Sequence, residues 1–229
     1  SDDPSGRAGL AHLVEHLSFE FQVDAEHDRL SDRLGDAALQ YNAYTNHDVT
    51  HYTATALAGR LATLIDVEAR RLEATCAQLD EEVFLRERAV VLAEAAERRS
   101  AWDQVLLALG PTVWGERHPY ARGLGTHELT EASREEACRF LNAHYAPDRL
   151  TLVITGDFAP EPVAQALGKR FGRITRRSTT PPATVTEARL LGTRSQHLAD
   201  VEDPAAWIFL PAPAWGGEEE VMHELSVQR

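Results

Sequence analysis

The stretch Gly9-Leu-Ala-His-Leu-Val-Glu-His-Leu17 predicts a helix that carries two histidines and a glutamate, His12, Glu15 and His16. On a helix over residues 10–19, His12 and His16 lie one turn apart on the same face. Glu15 follows His12 by three residues, so its carboxylate lies near both imidazoles. Imidazole together with carboxylate suits zinc. The motif alone leaves a second interpretation open, an amphipathic helix with two surface histidines.

A second informative stretch is Glu87-Arg-Ala-Val-Val-Leu-Ala-Glu94, within a predicted helix that begins after Asp80 and is stopped by Gly110-Pro111. Glu87 and Glu94 are seven residues apart, so they stack on one face, two turns from each other. Carboxylates beside apolar neighbours are costly unless they are paired, and a metal with its histidines would provide that pairing. Two alternatives stay open: both glutamates reach water at the helix edge, or Glu97 is the ligand instead of Glu94.

The remaining segments predict an alternation of helices and strands. Residues 41–56 are rich in β-branched and aromatic residues and predict two paired strands or one bent strand, with a turn at 46–48. The other predicted elements are helices over 25–39, 57–79, 130–145 and 160–171 and an apolar strand over 150–155. Residues 173–186 have the composition of a linker.

Composition and charge exclude several classes of function. The formal net charge of −13 argues against a nucleic-acid partner, whose phosphates would be repelled, and no run of 18 apolar residues predicts a membrane span. Cys76 and Cys138 form no Cys-x-x-Cys motif, and we expect two buried free thiols in preference to the alternative, a disulfide. The polar start of the chain lacks the apolar segment of a secretory signal, which favours a cytoplasmic location, although the first residue is not methionine.

Together these motifs resemble the pitrilysin/insulinase family of zinc peptidases. The resemblance rests on residues 9–16, on Asn42-Ala-Tyr-Thr45 and on residues 87–94. It extends to His118-Pro-Tyr120 and to residues 144–147 and 152–157, in the family's order, and so covers about residues 6–172.

The resemblance implies an α+β fold, a two-layer sandwich in which a mixed β-sheet packs against helices. Residues 1–174 would form the zinc-peptidase N-terminal module, without its first strands. Residues 175–186 would be the linker, and 187–229 the start of a second, truncated homologous module.

The family also implies a role for each matched residue. His12, His16 and Glu94 would hold one zinc ion per chain, and Glu15 would be the general base of a zinc endopeptidase. Glu87 would orient a ligand or assist the base. Asn42 and Ala43 would lie on an edge strand that pairs with the backbone of a peptide substrate. Three protein ligands leave the open position that a catalytic zinc requires.

The chain departs from the family in ways that bear on its function. Phe19-Glu-Phe21 stands where the family often has a glycine-threonine turn. Family enzymes use two homologous halves, the second of which supplies an arginine and a tyrosine, so we expect a fragment that needs a homologous partner in a homo- or heterodimer. Two other hypotheses stay open: a non-catalytic subunit that binds peptides or serves as a scaffold, and a different zinc hydrolase with the same motif on another fold.

Overall fold

The computed structural model describes residues 2–23, 29–97, 101–115, 118–121 and 127–174, and these contain seven α-helices and one pair of strands. The elements in chain order are α1 (Leu10–Leu17), α2 (Leu30–Ala37), β1 (Gln40–Thr45), β2 (Thr50–Thr55), α3 (Leu61–Glu73), α4 (Glu81–Glu97), α5 (Ala101–Trp114), α6 (Arg134–His144) and α7 (Pro160–Phe171). The predicted linker and second module fall in 175–229, outside the described residues.

Helix α1 lies at the centre of the hydrophobic core. It packs against α4, α6 and β1, and one side of it is fully buried through Leu10, Leu13, Val14 and Leu17. The spacing of these residues follows the helical period, so the apolar stripe faces inward and the polar positions are left for the site. This confirms the amphipathic helix that the sequence predicts, with an end at Leu17.

Strands β1 and β2 form an antiparallel hairpin whose register runs from Gln40↔Thr55 to Thr45↔Thr50. The turn is held by Asn46, whose side-chain oxygen accepts hydrogen bonds from the backbone N–H groups of Asp48 and Val49, both at 2.9 Å. The hairpin confirms the prediction of two paired strands. This pair is the whole sheet of the described residues, so the mixed sheet of a two-layer sandwich stays a prediction.

The predicted strand over 150–155 is wrong, since the structure assigns no strand there. A strand requires a ladder partner, and apolar, β-branched composition cannot show whether one is present. A cavity of about 810 Å³, which extends to His12, is lined by both β2 and residues 150–158.

The ends of several helices differ from prediction. The helix predicted to stop at Gly110-Pro111 is described on both sides of residues 98–100, as α4 and α5, and α5 continues through Pro111 to Trp114. The stop comes from Gly115, which adopts a φ of 87° and donates its N–H to the carbonyl of Pro111. Helix α6 begins after Ser133 rather than at Thr130, because Ser133 and Glu136 form a reciprocal capping box.

The two remaining predicted helices are shorter than their sequence patterns. The described part of the helix predicted over 25–39 is α2, Leu30–Ala37. The one predicted over 57–79 has its α-helical part at Leu61–Glu73, with single 3₁₀ turns at Ala58–Arg60 and Cys76–Gln78. Apolar spacing does not separate such turns from the helix they flank.

The prediction of two free thiols is also wrong, because Cys76 and Cys138 form a disulfide with a Cα–Cα distance of 5.7 Å. It joins the turn after α3 to α6 across 62 residues of sequence. Both cysteines line one small cavity together with Val14 and Leu17 of α1. Cysteine spacing in the sequence carries no information about a contact made by three packed elements.

Helix α7 is tied to α3 by charge. Arg170 donates to Asp66 at 2.7 Å and to both carboxylate oxygens of Glu73, at 2.5 and 2.7 Å. The neighbouring Arg70 also donates to Asp66. None of the helices in the described part of the chain has the length and apolarity that a membrane crossing requires.

Candidate metal centre

The start of α1 is fixed by a buried carboxylate. Asp3 accepts hydrogen bonds from the backbone N–H groups of Gly9 and Ala11, both at 2.8 Å. Gly9 itself has a φ of 93°, which only glycine adopts without strain. A negative charge and two acceptor oxygens at a helix N-terminus satisfy N–H groups that have no partner within the helix. Asp3 therefore sets where α1, the helix of the candidate metal ligands, begins.

His12, Glu15 and His16 lie together on α1, as the sequence predicts. One potential ligand atom from each residue lies within 4.8 Å of the others. The two imidazole rings have their centroids 4.9 Å apart and are nearly perpendicular, at 86°. Both rings are half-buried, whereas Glu15 is only 5% exposed.

Glu94 of α4 approaches both imidazoles. Its Oε2 lies 3.6 Å from His12 Nε2, and its Oε1 lies 3.6 Å from His16 Nε2. Helix α4 is oriented by the burial of Val83, Phe84 and Val91. By contrast Glu97, the alternative ligand that the sequence spacing allowed, is the last residue of α4 and is exposed.

These distances fit a zinc ion better than direct hydrogen bonds. At 3.6 Å, the nitrogen–oxygen pairs are longer than the normal range of a hydrogen bond. Two ligands of a tetrahedral zinc, each about 2.1 Å from the metal, lie about 3.4 Å from each other. The donor set of two imidazoles and one carboxylate also occurs in catalytic zinc sites. His12, His16 and Glu94 could therefore hold zinc.

Glu87 lies behind His16 rather than beside Glu94. Its Oε2 is 3.4 Å from His16 Nδ1, and its Oε1 accepts a hydrogen bond from Arg86 at 2.9 Å. The hydrogen bond from His16 lowers the pKa of Glu87, so this carboxylate is ionised and Nδ1 is the donor. A proton on Nδ1 leaves the lone pair on Nε2, the nitrogen that faces Glu94.

The charges around His16 raise its pKa. Burial alone would lower the pKa of His16, but the hydrogen bond to Glu87 and the charges of Glu94 and Glu15 outweigh burial and raise it. The same concentration of negative charge attracts a divalent cation.

Glu15 has a partner that the sequence analysis missed. The hydroxyl of Thr45, at the end of β1, donates to Glu15 Oε2 across 30 residues of sequence. Asn42 and Ala43 lie on the same strand, three and two residues before Thr45, and so about 10 and 7 Å along it. Asn42 is exposed and Ala43 is half-buried. The structure therefore brings five of the predicted residues into one cluster and leaves these two beside it.

The fold is helix-rich with a small antiparallel sheet, and the cluster on α1 and α4 is a candidate metal site. A family model for the insulinase peptidases (peptidase family M16) matches residues 1–122, and one for the M16 inactive domain matches residues 131–223. The chain belongs to the M16 peptidase family.

Several relatives carry names that bear on function. The mitochondrial-processing peptidase subunit beta of Neurospora crassa is 27% identical over 72% of the chain and 35% of its own length. A zinc protease of Mycobacterium leprae is 30% identical over 79% of the chain and 41% of its length. Cytochrome b-c1 complex subunit 1 of Mus musculus is 22% identical over 93% of the chain and 45% of its length. The chain thus spans less than half of each of these relatives.

Solved structures share the fold. A protease from Helicobacter pylori superposes with a TM-score of 0.72 at 21% identity, covering 81% of this chain and 45% of that one. Pitrilysin gives a TM-score of 0.68 at 22% identity, covering 82% and 21%. The described residues therefore have a helix-rich, pitrilysin-like fold, which argues against the same motif on an unrelated fold.

Proposed function

We propose that this chain is the metal-binding part of a zinc endopeptidase that hydrolyses peptides. The observation that carries the proposal is the approach of Glu94, from α4, to both imidazoles of α1, with Glu15 buried beside them. His12, His16 and Glu94 would hold one zinc ion. Membership of the M16 family and the zinc protease names among the relatives support this choice of metal.

In this proposal the carboxylates of Glu15 and Glu87 have different roles in the reaction. Zinc, when bound, supplies an activated water and polarises the carbonyl of the peptide bond. Glu15 accepts the proton from the attacking water and passes it to the leaving amine. Glu87 holds the Nδ1 proton of His16 and so keeps the imidazole in the tautomer and orientation that a ligand needs.

The peptide would bind along β1. Asn42 and Ala43 lie on the strand that ends at Thr45, next to Glu15, so a peptide paired with this strand would run past the metal. Pairing through the backbone gives affinity with little demand on the sequence of the peptide. The net charge of −13 would favour basic peptides electrostatically.

Activity would require a second homologous half or subunit. The chain spans 35% of the processing-peptidase beta subunit and 41% of the Mycobacterium zinc protease. We propose that the arginine and tyrosine implied by the family come from that other half, in one longer chain or in a dimer.

The test is peptide hydrolysis by the full-length protein with its partner. We expect about one zinc per chain, cleavage that a chelator abolishes, and loss of cleavage in Glu15→Gln with zinc content unchanged. Full activity in Glu15→Gln, or activity that survives complete removal of the metal, would contradict the proposal.

The second candidate is a non-catalytic subunit that binds peptides or supports a chamber. The match to a subunit of the cytochrome b-c1 complex favours it, since that relative is named for a respiratory complex rather than a protease. The retained histidines and glutamates weigh against it. Zinc binding and peptide binding without turnover, in the presence of the partner, would favour this candidate.

A further inference from the structure

Thr45 links the hairpin to the proposed general base. It is the last residue of β1, and its hydroxyl donates to Glu15 Oε2. The same hydroxyl lies 3.0 Å from the hydroxyl of Thr50, the residue opposite it in the ladder. The three side chains thus form a series of hydrogen bonds from Thr50 on β2 through Thr45 on β1 to Glu15 on α1.

The direction of these hydrogen bonds follows from the donors available. An ionised carboxylate can only accept, so the single hydroxyl proton of Thr45 goes to Glu15. Thr45 must then be the acceptor from Thr50, whose own proton completes the series. Bonds to a charged acceptor are stronger and shorter than neutral ones.

The consequence for Glu15 is a fixed orientation. A glutamate side chain has three rotatable bonds, and its terminal torsion is broad when no partner holds it. Anchoring Oε2 sets the rotation of the carboxylate and hence the position of its second oxygen. Small misplacement of a catalytic group costs rate steeply.

We propose that Thr45 is a positioning residue that holds Glu15 in the geometry required for proton transfer. This inference rests on the proposed function, since it assigns Glu15 the role of base. Thr45 acts through Glu15 and does not bind the metal.

The surrounding contacts make this role separable from folding. Helix α1 is held by the buried core and by Asp3 at its start. The hairpin is held by its six-pair register and by the Asn46 turn. Loss of one hydroxyl leaves both elements with their own supports.

The variants are Thr45→Val, which removes the hydroxyl and keeps a β-branched side chain, and Thr45→Ser, which keeps the hydroxyl. Thr55→Val is the matched control, because Thr55 is exposed at the opposite end of the same hairpin. We expect Thr45→Val in the full-length enzyme to lower kcat about 10- to 100-fold with KM within about twofold. Zinc content and melting temperature should stay close to wild type, Thr45→Ser should recover most of kcat, and Thr55→Val should behave as wild type.

A readout independent of turnover is the carboxyl ¹³C resonance of Glu15 in the zinc-loaded protein, assigned by its loss in Glu15→Gln. It should shift and broaden in Thr45→Val and return in Thr45→Ser. An unchanged resonance, an unchanged kcat, or a loss of kcat that tracks loss of zinc in Thr45→Val would overturn the positioning role. If wild type cleaves no peptide while the Glu15 resonance still responds to Thr45→Val, the proposed function fails, whereas the contact by which Thr45 orients Glu15 stands.

Discussion

At Glu94, each oxygen of one carboxylate lies 3.6 Å from the Nε2 of a different histidine. Without Glu94, His12 and His16 would be two half-buried histidines on a helix. With Glu94, the three side chains form a site in which the distances between them match those between zinc ligands. The position depends on the burial of one side of α4, which turns residue 94 and not residue 97 toward α1.

Replacing Glu94 tests this assignment at the scale of one residue. We expect Glu94→Ala to weaken zinc binding by at least about 100-fold. Residues that only hydrogen-bond to a zinc ligand already contribute up to about 100-fold to zinc affinity, and a ligand should contribute at least as much. Glu97→Ala removes the same side chain one turn away and should leave affinity unchanged. The measurement is a competition titration against a chelator of known affinity; equal losses in both variants would remove Glu94 from the ligand set.

How far the sequence predicts the site depends on which contacts are local. His12, Glu15 and His16 lie within five residues, so the helical period alone places them together. Thr45 meets Glu15 across 30 residues, and only the docking of the hairpin on α1 brings them together. The sequence does contain a signal for this contact: Ala43 and Thr45 are two residues apart, so they lie on the same, inward face of the predicted strand.

At the scale of elements, the disulfide is the strongest single tie between α6 and the turn after α3. For a closed loop of 62 residues, the chain-entropy estimate of its contribution to the free energy of unfolding is about 4 kcal/mol. We therefore expect Cys76→Ser/Cys138→Ser to lower the free energy of unfolding by up to that amount. Denaturant unfolding of both forms, with and without reductant, measures it; a reductant should affect only the wild type.

The docking of α7 on α3 should depend on pH. The pKa of Asp66 is lowered from 3.8: burial opposes the shift, but the hydrogen bonds from Arg70 and Arg170 outweigh it. The hydrogen bond from Arg170 lowers the pKa of Glu73 from 4.5. Because both carboxyls have lower pKa values in the folded state, their contribution is complete above about pH 4.5 and is lost as pH falls through the folded values.

The measurement for this pH effect is unfolding free energy between pH 6 and pH 2. In Arg170→Met the acid-dependent loss should be smaller than in wild type, whereas Lys169→Met, a neighbouring change of the same charge, should leave the profile unaltered. The size of the effect is modest, since both carboxylates are about 40% exposed and are screened by solvent. A profile identical in wild type and Arg170→Met would contradict it.

Element ends are where sequence and structure diverge most. Gly110-Pro111 is a strong stop signal, yet α5 continues to Gly115, which adopts the left-handed conformation of a helix end. Apolar composition over 150–155 predicts a strand that has no ladder partner among the described residues. The end of α5 is therefore set by the conformation of Gly115, whereas the propensity of 150–155 depends on a ladder partner elsewhere in the fold.

At the scale of the whole molecule, metal binding should stabilise the fold. Zinc would join α1 to α4, two elements that also pack in the core, and the folded state alone presents this arrangement. At free zinc 100-fold above the dissociation constant, linkage gives about 2.7 kcal/mol of added stability. Differential scanning fluorimetry should show a rise in Tm with zinc that a chelator reverses, and no such rise in His12→Ala/His16→Ala.

The disulfide also gives the molecule a particular topology. Residues 76–138 form a closed covalent ring, and Glu87 and Glu94 lie inside it, while His12 and His16 lie outside. A single backbone cut anywhere in the ring would leave the pieces joined, so a nicked chain would run as intact protein on a non-reducing gel. A metal held by His12, His16 and Glu94 would add a second link between the N-terminal segment and this ring, besides the backbone that joins them at Cys76.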